Sequence, residues 1–187
     1  KGGCLLSGPA FLRSFIQSPP GKALIIADYK SQETLIAGVC SRDTDMIRDY
    51  YSEDFYFAFA KRAGVVDPSA KRFDSEETQK IRSTYKQVAL AVQYGMGALS
   101  LADKLSISDV HANSLLRKHR KAYPKYWAWV EKIVNMSGMN LPIEAVLGWR
   151  LNPPYKSKTS FMTGKNSILS ICNFPIQATG SEILRAT

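Results

Sequence analysis

The chain has 187 residues, 45% of them hydrophobic, which is enough for one buried core and argues for a folded protein rather than a disordered tail. Lys and Arg outnumber Asp and Glu by 25 to 16, and the net charge of +9 suits a polyanion, an anionic membrane surface or any basic soluble protein. No apolar run is long enough to span a bilayer, no segment resembles a secretion signal, and Cys4, Cys40 and Cys172 fit neither a disulfide framework nor a zinc knuckle. A cytoplasmic protein with reduced thiols is expected. The chain starts without Met and stops inside what reads as a helix, so it is expected to be an excerpt of something longer.

In chain order, Ala-Leu-Ile-Ile-Ala at 23–27 is a continuous apolar run ending at Asp28, the pattern of a buried strand that delivers a carboxylate. A helix is predicted from about Glu33 to Cys40. Ser52 is the predicted N-cap of a second helix through Phe55 and Phe59, stopped by Gly64. Ser75, Glu76 and Glu77 open a longer helix running to about Gln93. Ser108 and Asp109 open another, which ends before Pro124, and Pro124 starts the next one through Tyr126, Trp127, Trp129 and Val130 to Gly138. Residues 142–151 are predicted to form a hairpin about Gly148, and two helical stretches follow near 165–172 and 177–187. The expected fold class is α+β, mainly helical, with a strand-rich platform entered at 20–30 and re-entered late.

The helix over 76–93 carries the most chemistry. At about 100° per residue, Ile81, Tyr85, Val88 and Val92 share one stripe, while Arg82, Lys86, Leu90 and Tyr94 share another roughly opposite. Two cations one turn apart that lead to an aromatic ring are what a nucleoside triphosphate requires: charge for the phosphates, a flat surface near the base. Taken alone, Arg82 and Lys86 also fit a solvated basic face. Between 117 and 132, Arg117, Lys118, Arg120, Lys121, Lys125 and Lys132 face only Glu131 among acids, and no acid occurs from Ala145 to Ser181. Both stretches suit a DNA track. The interleaved Tyr126, Trp127, Trp129 and Trp149 are expected to be mostly core.

Arg82-x3-Lys86-x7-Tyr94-Gly95 resembles the fingers motif of family A, bacterial polymerase I-like DNA polymerases. Asp28-Tyr29-x3-Glu33 is similar to that family's first palm motif, and Asn173-Phe174-Pro175-Ile176-Gln177-Ala178-Thr179 resembles its Asn-x-Pro-x-Gln-x-Thr segment. The resemblance spans roughly 13–187. It implies a partial palm over 1–45, helical fingers over 46–160 and a return to the palm over 161–187. It also implies that Asp28 ligates two Mg²⁺ ions, with the backbone carbonyl of Tyr29 as a further ligand. Glu33 would exclude a 2′-hydroxyl and hydrogen-bond Tyr94; Arg82 and Lys86 would clamp the triphosphate, with Lys86 as proton donor to pyrophosphate. Tyr94 would occupy the templating position until the fingers close, Gly95 would permit the bend, and Asn173 and Gln177 would read the minor groove at the primer terminus. The implied partners are primer-template DNA, dNTP and the remainder of the polymerase (last palm motif and thumb), in a bacterial nucleoid or phage-infected cell and not at a membrane.

Several positions depart from the family pattern. Leu90 stands where an aromatic ring is usual, Tyr56 where a triphosphate-contacting His is common, Leu169 where an Arg often precedes the Asn, and Lys30-Ser31-Gln32 follows Asp28-Tyr29. They suggest a divergent, phage-derived member. The last palm motif, His-Asp-Glu, is missing: His111 precedes Ala112 and His119 precedes Arg120, and both histidines are expected at the surface. One carboxylate does not hold two Mg²⁺ ions, so the chain alone is expected to be inactive. Two other readings are a single-subunit, phage-type RNA polymerase, with which Leu90 is compatible and Glu33 is not, and a non-catalytic DNA-binding remnant.

Overall fold

The computed structural model describes residues 15–25, 28–72, 74–152 and 168–186. Contacts divide the chain into two units, Lys1–Lys30 and Ser31–Thr187. In the first, Lys22 N–H donates to Pro19 O at 3.0 Å and closes a turn. The described part of the apolar run is not a buried strand: Leu24 is 54% and Ile25 88% exposed, and neither belongs to a strand. A strand needs a neighbour for its N–H and C=O groups, and among the described residues none lies beside this run. Residues 26 and 27 lie outside the described residues.

The second unit is helical. Among the described residues its elements are α1 (Gln32–Ser41), α2 (Thr44–Tyr50), α3 (Phe55–Arg62), α4 (Glu76–Gln93), α5 (Ala98–Leu105), α6 (Asp109–Ala122), α7 (Pro124–Gly138), a hairpin of β1 (Ile143–Glu144) and β2 (Arg150–Leu151), and α8 (Ile168–Ala186). The hairpin is antiparallel, pairing Ile143 with Leu151 and Glu144 with Arg150. The mainly helical expectation holds; the strand-rich platform is not found among the described residues.

Capping explains most of the boundaries. Ser75 and Thr78 form a reciprocal capping box at the start of α4, and Ser108 Oγ accepts from His111 N–H at the start of α6. The cap of α3 is Asp54, whose carboxylate accepts from Phe57 N–H, and not Ser52, whose hydroxyl instead donates to Asp49 O. Asp43 does double duty. One oxygen accepts from Asp45 and Met46 N–H to cap α2, and the other accepts from Tyr126 N–H at the start of α7. The two helical stretches predicted at the end are one helix that runs through Pro175. An interior proline costs a helix about 3 kcal/mol. Here the buried side chains of Ile171, Cys172, Ile176 and Ala178 on either side of it offset that loss.

The core gathers α3, α4, α6 and α7 around Phe59, whose ring centroid lies 4.7 Å from Tyr85, 4.9 Å from His119 and 5.5 Å from Tyr123. His119 is not a surface residue. It is 1% exposed, and its Nδ1 accepts from Trp127 Nε1–H at 3.0 Å. The helical period of α6 places it on the face of Ala112, Leu115 and Ala122, all buried. His111 is exposed. Of the aromatic residues expected in the core, Tyr126 is buried, Trp127 and Trp129 are half-buried, and Trp149 is exposed beneath the Arg185 guanidinium. Cys40 and Cys172 are free thiols whose pKa burial pushes up; Cys4 lies outside the described residues.

Burial pulls the His119 pKa down to about 3, against about 6.5 in an unfolded chain. Between those values the unfolded chain binds the extra proton, so this group's contribution to stability is complete above pH 6.5 and declines as pH falls. Denaturant unfolding at pH 7 and pH 5 is expected to show His119 responsible for a loss of about 2 kcal/mol, and His119→Phe is expected to flatten that difference.

Candidate nucleotide-binding site

The two faces of α4 are chemically opposed. Tyr85, Val88 and Val92 are buried in the core with Ile81 packed against them, while Lys86 and Tyr94 are exposed and Arg82 and Leu90 half-buried. The helix is therefore held from behind with its cationic stripe turned outward. Arg82 is oriented by Asp54: its Nε and Nη2 donate to Asp54 Oδ2 at 2.8 and 2.7 Å, and Arg72 reaches the same oxygen at 3.2 Å. Asp54 Oδ1 is occupied by the α3 cap. Tyr56, the second residue of α3, lies buried beneath both cations, with Arg82 Cζ 5.5 Å and Lys86 Nζ 5.9 Å from its ring centroid. Two arginines thus share one carboxylate, and Arg82 and Lys86 lie over one tyrosine ring, with Lys86 the most exposed of the three cations.

At the end of α4 the chain turns sharply. Gly95 N–H donates to Val92 O at 2.8 Å and Met96 N–H to Ala91 O at 2.8 Å, a Schellman closure. It needs a left-handed residue, and Gly95 supplies it at φ +69°. The turn leaves Tyr94 46% exposed, its hydroxyl donating to Glu33 Oε1 on α1 at 3.2 Å. Gln177 Nε2 on α8 donates to the same oxygen. Burial, then the charge of Glu33 and the Tyr94–Glu33 hydrogen bond, raise the Tyr94 pKa, which keeps the phenol a donor. Directly beneath, Gln93 Nε2 donates to Thr34 Oγ1 at 3.0 Å, and both residues are buried.

Glu33, Arg82, Lys86, Leu90, Tyr94, Gly95, Tyr56 and Gln177 thus belong to one connected region of the second unit, on α1, α3, α4 and α8. Gln177 spends its amide on Glu33 here. Asn173, one turn earlier on α8, is half-buried, with its Oδ1 buried and without a hydrogen-bond partner. Leu169 lies in α8, but its side chain is outside the described residues. Asp28 and Tyr29 belong to the first unit and are exposed. A carboxylate and a backbone carbonyl are donors that Mg²⁺ accepts, yet an octahedral cation needs more than this pair. No cluster of three or more His, Cys, Asp or Glu able to hold a metal occurs among the described residues. The basic stretch of α6 and α7 is exposed apart from a half-buried Lys118, and Lys118 and Lys121 line a cleft of about 310 Å³ with Arg62.

Two members of this region carried no signal in the sequence. The part of Asp54 in orienting Arg82 depends on a fold that brings residues 28 apart in the chain into contact. Arg72 lies in a loop without periodicity. Asp54→Asn keeps the helix cap but removes the charge that anchors both arginines. It is expected to lower unfolding stability by about 2 kcal/mol, measured by denaturant titration.

Among the described residues, no helix is long and apolar enough to cross a membrane. The family model for DNA polymerase family A matches residues 8–187, nearly the whole chain. The thermostable DNA polymerase I of Thermus filiformis is 23% identical over 180 residues, which cover 93% of this chain and 20% of that protein. DNA polymerase theta of Drosophila melanogaster is 27% identical over 137 residues, covering 73% of this chain and 6% of that protein. The chain therefore spans about a fifth of the length of the bacterial relative, and far less of the fly protein. In fold it is similar to the POL domain of Pol1 from M. smegmatis, solved in complex with DNA primer-template and dNTP, with a TM-score of 0.68 and 23% identity over 84% of this chain and 27% of that one. With the family model matched along nearly its full length, the chain belongs to DNA polymerase family A.

Proposed function

We propose that this chain is the nucleotide-selecting portion of a template-directed DNA polymerase, binding dNTP opposite primer-template DNA. The observation that carries the reading is the pairing on α4 of a face locked into the core with an outward stripe of Arg82, Lys86 and Tyr94. In this reading the domain plan is a partial palm over 1–45, fingers over 46–160 and a palm return over 161–187. Arg82, pre-aimed by Asp54, and the mobile ammonium of Lys86 bind the triphosphate. Lys86 also donates a proton to the departing pyrophosphate. Glu33 closes the space a 2′-hydroxyl would need, and Tyr94 stands at the templating position, released when its bond to Glu33 opens. Asn173 and Gln177 read acceptors in the minor groove, Gln177 after leaving Glu33.

Mg²⁺, when bound, would activate the primer hydroxyl and stabilise pyrophosphate. Asp28 and the Tyr29 carbonyl are the residues of this chain that would take part in holding it, together with carboxylates from elsewhere in the polymerase. The 187-residue chain is accordingly proposed to be inactive alone. Steady-state primer extension by the full-length polymerase tests the reading. Lys86→Ala is expected to lower kcat/KM for dNTP by about 100-fold or more, with no extension by the isolated chain. Wild-type rates in Lys86→Ala would refute the phosphate clamp, and a preference of the unmutated enzyme for rNTP would assign the site to RNA synthesis.

A further inference from the structure

The contact between α1 and the end of α4 has two adjacent rungs, and only the outer one belongs to the site described above. Glu33 and Thr34 are neighbours on α1; Tyr94 and Gln93 are neighbours at the end of α4. The outer rung joins Glu33 to Tyr94 and is open to solvent. The inner rung joins Thr34 to Gln93, which are 2% and 3% exposed. Consecutive residues on a helix project about 100° apart, so the two rungs brace the same junction in different directions.

The inner rung is an unusual choice for a buried contact. Gln93 Oε1 is buried with no hydrogen-bond partner, and an orphaned buried acceptor is costly. Two apolar side chains would fill this space without that penalty. What a hydrogen bond supplies and an apolar contact does not is a fixed distance and direction, hence a fixed register between the helices. Gln93 is the last residue of α4 and Tyr94 its cap, with the chain reversing at Gly95. Any slip of Gln93 along α1 moves the Tyr94 ring relative to Glu33.

We propose that Thr34 and Gln93 are positioning residues for sugar selection: their buried hydrogen bond sets the register in which Tyr94 meets Glu33. The inference rests on the proposed role of Glu33 in excluding a 2′-hydroxyl. Neither Thr34 nor Gln93 touches the nucleotide in this account; both act through the residues beside them.

The test compares kcat/KM for dNTP and rNTP, together with the thermal midpoint, in the full-length polymerase and its variants. Glu33→Ala is expected to abolish most of the discrimination, which checks the underlying reading. Thr34→Val, isosteric but without the hydroxyl, is expected to lower discrimination about tenfold, while Thr34→Ser retains it. The double variant Thr34→Val, Gln93→Leu removes both polar partners, so it is expected to recover the thermal midpoint but not the discrimination; it also carries the test should Thr34→Val fold poorly. If the double variant regains both, the pair is structural only and the inference is overturned. Wild-type discrimination in Thr34→Val beside a collapsed Glu33→Ala would likewise overturn it while leaving the role of Glu33 intact. No effect of Glu33→Ala would remove both.

Discussion

The carboxylate of Asp54 is where the fold and the site become one problem. It is buried, with one oxygen capping α3 and the other holding Arg82 and Arg72. A buried carboxylate is tolerated only when its lone pairs are satisfied, and two guanidiniums plus a helix-terminal N–H satisfy it. The consequence runs outward. Because Arg82 is tied to the start of α3, the cationic stripe of α4 is registered against Tyr56, and Lys86 is left as the exposed charge above the same ring.

Two further buried aspartates repeat the device away from the site. Asp43 caps α2 and reaches the start of α7, and Asp49 takes a bidentate pair from Arg62 and a hydrogen bond from Tyr123. Burial, and then the charge and hydrogen bond of Asp49, push the Tyr123 pKa upward, and the Asp49 hydrogen bond is the leading cause that raises Arg62. These carboxylates cross-link helices that share only a small hairpin as sheet structure among the described residues. They tie together the helices behind α4, and in the proposed function that bracing would serve the phosphate-binding groups, which act best when already in place.

Much of this was legible in the sequence where local chemistry is self-sufficient. Ser75, Ser108 and Pro124 announce helix starts that tertiary structure merely accepts, and the two stripes of α4 follow from its period alone. What was not legible depended on distant partners. α2 and α5, with 7 and 8 residues, are too short to show a period. α8 crosses Pro175 because its neighbours bury the flanking side chains, information that no local pattern contains. The apolar run ending at Asp28 shows the converse: strand-like composition without a neighbouring strand among the described residues. Arg82, Lys86, Tyr94 and Gly95, whose spacing resembles the family's fingers motif, lie along α4 and the turn that closes it, so their relation could be read from the sequence. The Glu33–Tyr94 contact, by contrast, was implied only by the family resemblance. The Asp54 anchor and the Thr34–Gln93 rung join segments far apart in the chain and had to await the fold.

The central claim is that the outward stripe of α4 is a triphosphate clamp. A crystal structure of the full-length polymerase with primer-template and an incoming dNTP tests it most directly. The account predicts phosphate oxygens within hydrogen-bonding distance of Arg82 and Lys86, with the sugar beside Glu33. A nucleotide bound with its phosphates away from both cations would contradict it.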